Sequence, residues 1–376
     1  MLRCCGLLLS FALAACSGVS RDFTQSFVDA NRGLDDDARV AAYSPEMKLL
    51  AVGRESGRLE LWDVRRPDAR IARQAHALRV QGIAFGPQDG IVISSSGFGN
   101  IDAGEIVERE NGPKVWSARS GELLHAFRGA DWLPGAVSAT PLRGLYLLAS
   151  YDELRIYDHA RRMLVGTPLR LQPDGGITAL DWDQASGLIA AGTDKGLIAL
   201  LRLHREPQGG ARLEIAGTHA PHGHGPRRGV LAVKLLDDGR KLVSVQHSPA
   251  LSEAMGDNVP PLYRGHQHET VRWDVATWRR EHAYSSSLLG VHQAIHTRGE
   301  DWLVLAGVAG GSARIAGKIE LVDLRSGVSW LYRANTTHPT AVLLPPAREG
   351  LVLQSGRATR IRYLDQKDDV PWVPPQ

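Results

Sequence analysis

Three features of this sequence predict an all-β fold built from one repeated unit. A pattern of three short strands recurs along the chain, turn-forming residues separate the strands, and the 376 residues exceed one domain of mean size. A length of this kind fits either several domains or one large closed architecture. The internal repeat favours the closed architecture.

The repeat is clearest in residues 40–64. An alternating strand is followed by a Ser-Pro turn, the apolar strand 49–52, a Glu-Ser-Gly turn and the strand 59–64, which contains Trp62 and Asp63. This order of strands, with its Trp-Asp pair, resembles one blade of a WD40 β-propeller. Residues 76–96 then contain His76, a first strand, a turn and a second strand, which is the order expected of a WD40 blade. The resemblance implies a structural role for this histidine.

The first two strands of the unit recur seven times in all. The recurrences beyond the first two are residues 136–150, 177–192, 230–245, 291–307 and 340–355. The predicted third strands are residues 59–64, 114–117, 154–158, 197–201, 271–275, 319–324 and 360–365. Five of these strands end at or near an aspartate that we expect to cap the following turn through backbone amides: Asp63, Asp158, Asp274, Asp323 and Asp365.

The resemblance therefore implies a seven-bladed WD40-like β-propeller over residues 22–376, and six or eight blades remain as alternatives. The last blade lacks a fourth strand, because only a proline-containing tail follows residue 365. The alternating segment 23–28 lies before the first blade. We expect it to form the outer strand of the last blade and so to close the ring, as in WD40 proteins.

The amino terminus predicts a lipid anchor. Arg3 precedes an apolar run over 6–15, which is too short to span a bilayer but suits a secretory signal. The run ends in Leu-Ala-Ala before Cys16, which resembles the lipobox of bacterial lipoproteins. The prediction is a signal peptide over 1–15, followed by a lipidated terminus and linker over 16–21. An ordinary signal peptide followed by a chance cysteine is the alternative.

Lipidation at Cys16 implies a place in the bacterial cell envelope. The acyl chains would anchor the protein to the membrane without crossing it. Ser17 follows the lipidation site, and resemblance to lipoproteins of Gram-negative bacteria then implies the outer membrane, facing the periplasm. All three cysteines lie within the first sixteen residues, so the mature chain would have no free thiol for a disulfide or a metal.

The candidate binding residues lie in long connections. Three connections between second and third strands, at 95–112, 246–269 and 308–318, exceed tight turns, and the propeller resemblance places them on one face with the connection 219–228. Long loops on a rigid scaffold concentrate binding residues, although neutral loop drift is the alternative. The predicted partner-binding residues are Asp102, Glu105, His222, His224, Arg227, Arg228, Tyr263, Arg264 and His266.

Catalytic and metal-binding signatures are weak in this sequence. The histidines at 219, 222 and 224 would ligate zinc or copper only with a fourth donor from His266 or His268, and we expect no metal and no cofactor. The sequence contains no GxSxG, HExxH, Walker or dinucleotide motif. Propeller enzymes gather their residues from many blades, so a hydrolase or oxidoreductase that uses the central channel remains the alternative function.

The predicted function is that of an interaction platform for another cell-envelope protein, bound on the face with the long insertions. The 44 Lys and Arg against 41 Asp and Glu give a net charge of +3, which leaves no electrostatic footprint for nucleic acid. The expected partners are therefore an envelope protein and, through the lipid on Cys16, the membrane. We expect a monomer.

Overall fold

A ring of antiparallel four-stranded sheets forms the body of the protein. The computed structural model describes residues 36, 38–66, 69–96, 112–127, 135–171, 175–221, 223, 229–248, 267–284, 286, 288, 290–296, 301–309, 316–333, 340–344, 350–355 and 358–362. The strands of each sheet are called a to d from the centre outwards. No helical segment long and apolar enough to cross a membrane occurs in these residues.

The first three blades follow one another along the chain. Blade one comprises β1 (Ala38–Ser44), β2 (Leu49–Arg54), β3 (Arg58–Asp63) and β4 (Arg70–Gln74). Blade two comprises β5 (Val80–Gly86), β6 (Ile91–Ser96), β7 (Lys114–Ser117) and β8 (Leu123–Ala126). Blade three comprises β9 (Val137–Ala139), β10 (Leu145–Ser150), β11 (Glu153–Asp158) and β12 (Met163–Arg170).

The next three blades repeat this order. Blade four comprises β13 (Ile177–Trp182), β14 (Leu188–Thr193), β15 (Ile198–Arg205) and β16 (Ala211–His219). Blade five comprises β17 (Val230–Leu236), β18 (Lys241–His247), β19 (His268–Asp274) and β20 (Arg279–Tyr284). Blade six comprises β21 (Gly290–His296), β22 (Trp302–Ala309), β23 (Ala316–Asp323) and β24 (Ser329–Arg333).

The prediction of a seven-bladed propeller is corrected by the structure, whose described residues form six four-stranded blades. A separate sheet of three strands follows them: β25 (Thr340–Leu344), β26 (Gly350–Ser355) and β27 (Ala358–Arg362). Its first strand contacts β1 and β22, so this sheet lies between blade six and blade one. The segment 23–28, predicted to supply its fourth strand, lies outside the described residues.

Apolar side chains fill the spaces between neighbouring blades. The core between blades three and four, for example, joins Leu147 and Ile156 of one blade to Ile189 and Leu201 of the next. Equivalent clusters lie between each of the other successive pairs from blade one to blade six. Each blade therefore depends on its neighbours for burial of apolar surface, as in other repeat architectures.

Candidate functional site

Two faces of the ring are defined by hydrogen bonds between its connections. On one face, called the loop face, b-to-c connections meet d-to-a connections. The amide of His76 bonds to Gly57 O at 3.0 Å, and the amide of Asp194 bonds to Gly176 O at 2.8 Å. On the other, called the turn face, c-to-d turns meet a-to-b turns. Val64 N bonds to Lys48 O at 3.0 Å there.

The loop face carries the long insertions that the sequence predicts. Each rises from paired strands: β6 ends at Ser96 before the first, His247 pairs with His268 at the second, and Ala309 pairs with Ala316 at the third. The strands leave the connections 97–113, 248–267 and 310–315 between them, and all but β7 extend further into the predicted connections than expected. Rigid strand ends thus fix where each insertion begins and ends.

The base of the blade-five insertion is held by backbone hydrogen bonds on the loop face. Ser248 N donates to Gln267 O at 2.9 Å, which extends the hairpin by one residue beyond the strands. The amide of His247 bonds to Gly229 O at 2.9 Å, and Gly229 ends the connection that begins at His219. The two elements predicted to share a binding surface therefore leave the scaffold beside each other.

The predicted binding residues cannot be placed individually. All of them lie outside the described residues: Asp102, Glu105, His222, His224, Arg227, Arg228, Tyr263, Arg264 and His266. Cys16 lies outside them as well. The structure locates the ends of the connections that carry the binding residues, but not their side chains.

His219 takes part in aromatic packing. Its ring stacks on Trp278 with the centroids 4.8 Å apart and meets the edge of Trp273 at 4.9 Å. Sequence reasoning treated this histidine as a candidate metal ligand and missed both contacts, because the two tryptophans come from the next blade. Within the described part of the chain, no three His, Cys, Asp or Glu side chains are grouped to hold a metal ion.

His76 has a structural setting, as expected from its position. It is 2% exposed, and its Nε2 lies 2.8 Å from Ser94 Oγ, which also accepts a bond of 2.9 Å from Trp116 Nε1. Burial lowers the pKa of His76 to about 3, with the nearby Lys114 charge adding to the shift. Blade five repeats part of this arrangement, since Trp273 Nε1 donates to Ser244 Oγ at 2.9 Å.

A cavity of about 1150 Å³ occupies the central channel and opens on the turn face. Its walls are the innermost strands of the six blades, and the a-to-b turns form its rim. Seven acidic and four basic side chains line it, so the described lining is acidic on balance. The size is sufficient for a small-molecule ligand or for the tip of a partner.

Polar groups of the channel are engaged with the protein itself. Tyr146 donates to Asp89 Oδ2, and Arg143 lies 4.0 Å from the same carboxylate. Burial, followed by the bond to Asp89, raises the pKa of Tyr146, so this hydroxyl stays protonated and is not activated as a base. Asp181 accepts the amide of Leu235 at 2.8 Å and joins blade four to blade five.

Comparison with known proteins gives a limited match. No protein-family model matches this sequence. DmX-like protein 1 of Mus musculus is 33% identical over 102 residues, which are 27% of this chain and 3% of the mouse protein. The similarity supports the architecture described above. The fold is a WD40-like β-propeller.

Proposed function

We propose that this WD40-like propeller is an interaction platform, lipid-anchored in the bacterial cell envelope, that binds another envelope protein on its loop face. The observation that carries the proposal is the base of the blade-five insertion. Paired strands hold the ends of 249–266, and the bond from His247 to Gly229 sets the neighbouring connection beside them. Insertions on such a scaffold offer recognition side chains without disturbing the fold.

The charges predicted on these connections suit a protein partner. Tyr263 and Arg264 lie in the blade-five insertion, and Arg227 and Arg228 lie in the connection beside it. Tyr and Arg are enriched among residues that dominate binding energy at protein interfaces. Blade two, which carries the acidic insertion with Asp102, is separated from blade five by two blades. A partner that spans the ring would meet an acidic and a basic wall.

Completion of the ring by the amino-terminal segment belongs to the same proposal. Asp36 is attached to the loop face, because its carboxylate accepts bonds from the amide and the hydroxyl of Ser56, and its carbonyl accepts Arg54 Nη1 at 2.8 Å. Residues 23–28 would then form the outer strand beside β27, and the three-stranded sheet would become a seventh blade. Cys16 would carry the lipid just ahead of that strand.

Loss of the blade-five insertion tests the binding face. Residues 249–266 are replaced by Asn-Gly between Ser248 and Gln267, which the backbone bond between them already holds as a hairpin end. Closing the shorter loop changes the free energy of unfolding by no more than about 2 kcal/mol. We expect the shortened protein to form no crosslinked adducts with the partner in intact cells. The double variant Arg227→Ala and Arg228→Ala should reduce the amount of adduct less strongly.

Two outcomes contradict this part of the proposal. Retention of the adducts by the shortened protein, or their loss on turn-face substitution, would place the partner elsewhere. The anchor is tested separately with Cys16→Ser, which should move from the membrane fraction into the soluble periplasmic fraction once a high-salt wash has removed charge-based contacts with the bilayer. Retention of that variant in the membrane would contradict lipid attachment.

A second candidate function uses the central channel, as a hydrolase or oxidoreductase. The cavity volume favours it, together with the buried Lys234 in its wall. The test is a screen for a substrate that the protein turns over. If Lys234→Gln loses this turnover and the variant with the shortened insertion keeps it, the enzymatic function replaces the interaction platform.

A further inference from the structure

The turn face carries exposed arginine in the c-to-d turn, or at a strand end beside that turn, in every one of the six blades. Blades one to three contribute Arg65 and Arg66, Arg119, and Arg161 and Arg162; blades four to six contribute Arg205, Arg279 and Arg325. All eight side chains are exposed. Backbone bonds tie these turns to the a-to-b turns, as in Leu324 N to Asp301 O at 2.7 Å, so they share one face.

The aspartates in these turns do not cancel the arginines at the surface. Asp63 and Asp158 bond to turn amides, and their side chains are only 6% and 8% exposed. The adjacent Arg65, Arg66 and Arg161 are 64%, 73% and 45% exposed. Asp63 accepts bonds from the side chains of both Arg65 and Arg66, and Asp158 lies 3.8 Å from Arg161. One carboxylate therefore faces two arginines in each of these turns, which leaves a net positive charge.

Apolar side chains stand beside several of these arginines. Leu123 follows the blade-two turn and is 44% exposed, and Met163 directly follows Arg162 and is 53% exposed. Val328, close to Arg325, is 36% exposed. Basic side chains interspersed with exposed apolar ones match the interfacial region of a bilayer, where the charges meet anionic headgroups and the apolar groups enter the boundary.

Acidic side chains of this face lie mainly around the channel. Asp89 and Asp301 are 14% and 16% exposed, and each is paired with an arginine. Exposed carboxylates remain at Glu46 in blade one, at Asp237 and Asp238 in blade five, and at Glu122 and Glu206 in the outer turns. Among the described residues, the outer turns therefore hold eight arginines against six carboxylates, namely Asp63, Glu122, Asp158, Glu206, Asp274 and Asp323. The outer ring keeps a basic excess, and the other acidic groups of this face lie towards the channel.

The proposed ring closure would bring the lipid to this same face; this step rests on the proposed function. In each four-stranded blade, strand d starts at the turn face and ends at the loop face, as in β4, whose last residue Gln74 bonds to Ser56 O at 2.7 Å. A closing strand at 23–28 would run the same way. Cys16 would then precede the turn face by seven residues, a span of at most about 25 Å.

We infer that the turn face docks on an anionic phospholipid bilayer. The arginine ring and its apolar neighbours supply the contact, and the lipid on Cys16 brings the face close to the surface. The loop face then points away from the membrane, where a partner can reach the insertions. A bilayer fits better than nucleic acid, because the charges follow a broad rim with apolar side chains among them rather than a groove.

Vesicle flotation tests this docking without the lipid anchor. Full-length protein carrying Cys16→Ser is mixed with vesicles of phosphatidylethanolamine and phosphatidylglycerol, or of phosphatidylcholine alone. We expect much tighter binding to the anionic vesicles than to the neutral ones, and weaker binding to the anionic vesicles as salt shortens the electrostatic range. Hydrogen exchange should slow at 119–126 and 161–168 on the vesicles, while the hairpin base at 247–248 and 267–268 stays unchanged.

Matched charge variants then locate the contact. Arg119→Gln, Arg162→Gln and Arg279→Gln together should weaken vesicle binding about a hundredfold, since each arginine contributes about fivefold near an anionic surface. The control combines Arg39→Gln, Arg170→Gln and Lys195→Gln, which remove the same charge from the loop face, and it should bind normally. All variants share the apolar run 6–15, which therefore contributes equally.

Several results would overturn the inference. One is that the two triple variants bind anionic vesicles equally well. Another is that the protein binds neutral and anionic vesicles equally well. A third is that vesicles slow hydrogen exchange on the loop face. Saturable binding to a DNA duplex or an acidic protein, with no vesicle binding, would also overturn it and assign the ring to that partner. None of these measurements depends on the loop-face partner or on lipid attachment. A failure of the docking inference can therefore be distinguished from a failure of the proposed function.

Discussion

Glu60→Gln is expected to be among the most damaging single substitutions in blade one. The side chains of Glu60 and Arg54 are both 0% exposed, and Arg54 Nη2 donates to Glu60 Oε2 at 2.8 Å. Trp62 Nε1 bonds to the same oxygen at 3.3 Å. Glutamine removes the negative charge and leaves the buried guanidinium without its counter-charge. Breaking a buried pair in this way costs about 3–5 kcal/mol of the free energy of unfolding.

The two partners should not be equivalent in this pair. Arg58 Nε and Arg70 Nη1 lie 3.5 and 3.7 Å from Glu60 Oε1. Arg54→Met therefore leaves the carboxylate near two other cations, and it should destabilise the protein less than Glu60→Gln does. Arg54→Met combined with Glu60→Leu should recover most of the loss, because paired replacement by apolar side chains of similar size is often neutral.

Urea unfolding followed by tryptophan fluorescence measures these differences. Glu214→Gln serves as the control, because Glu214 forms an ion pair of 3.1 Å with Arg212 in which both side chains are more than half exposed. Its loss should change the free energy of unfolding by less than about 1 kcal/mol. A Glu60→Gln protein as stable as this control, or a double variant less stable than both single variants, would refute the reasoning.

Two further predictions concern pH and ring closure. Below pH 6.5 His76 becomes protonated in the unfolded chain, whereas in the folded protein it stays neutral down to about pH 3. The free energy of unfolding should therefore fall as pH decreases through that window, by up to about 1.4 kcal/mol per pH unit. His76→Gln should flatten this slope in urea titrations between pH 4 and 7, and an unchanged slope would assign it to other groups. Deleting residues 20–30 should expose a strand edge and lower the melting temperature or cause aggregation, whereas an unchanged melting curve would show that the ring closes without them.

The strands could be predicted from the sequence because their periodicity is local. Predicted third strands such as 114–117 coincide with the observed β7, and β11 starts one residue before the prediction. The capping role of the aspartates is confirmed at Asp63, Asp158, Asp274 and Asp323, each of which accepts a turn amide. Asp365 lies outside the described residues. A side chain that bonds within its own turn leaves a signal in a short window.

Contacts between blades leave no comparable signal in any short window of the sequence. Glu60 alternates with Leu59 and Leu61 in the sequence and therefore resembles a solvent-facing residue of an edge strand, yet it is completely buried. The packing of His219 against Trp273 and Trp278 likewise joins residues more than fifty positions apart. The number of complete blades was overestimated for a related reason: a fourth strand has to be supplied by a distant segment, and local pattern does not reveal that pairing.

The capping aspartates also explain why the two faces of the propeller can carry different chemistry. A bond from the Arg65 side chain is the main cause that lowers the pKa of Asp63 to about 2, and a bond from Lys241 does the same for Asp274. These carboxylates therefore stay ionised wherever the protein is folded near neutral pH, and each keeps its c-to-d turn short. The exposed arginines lie within these turns or at the strand ends beside them. The b-to-c connections of blades two, five and six start and end at paired strands, and a surface loop between such ends can lengthen at little cost in free energy. A charged ring on one face and variable insertions on the other are therefore consequences of the same repeated unit.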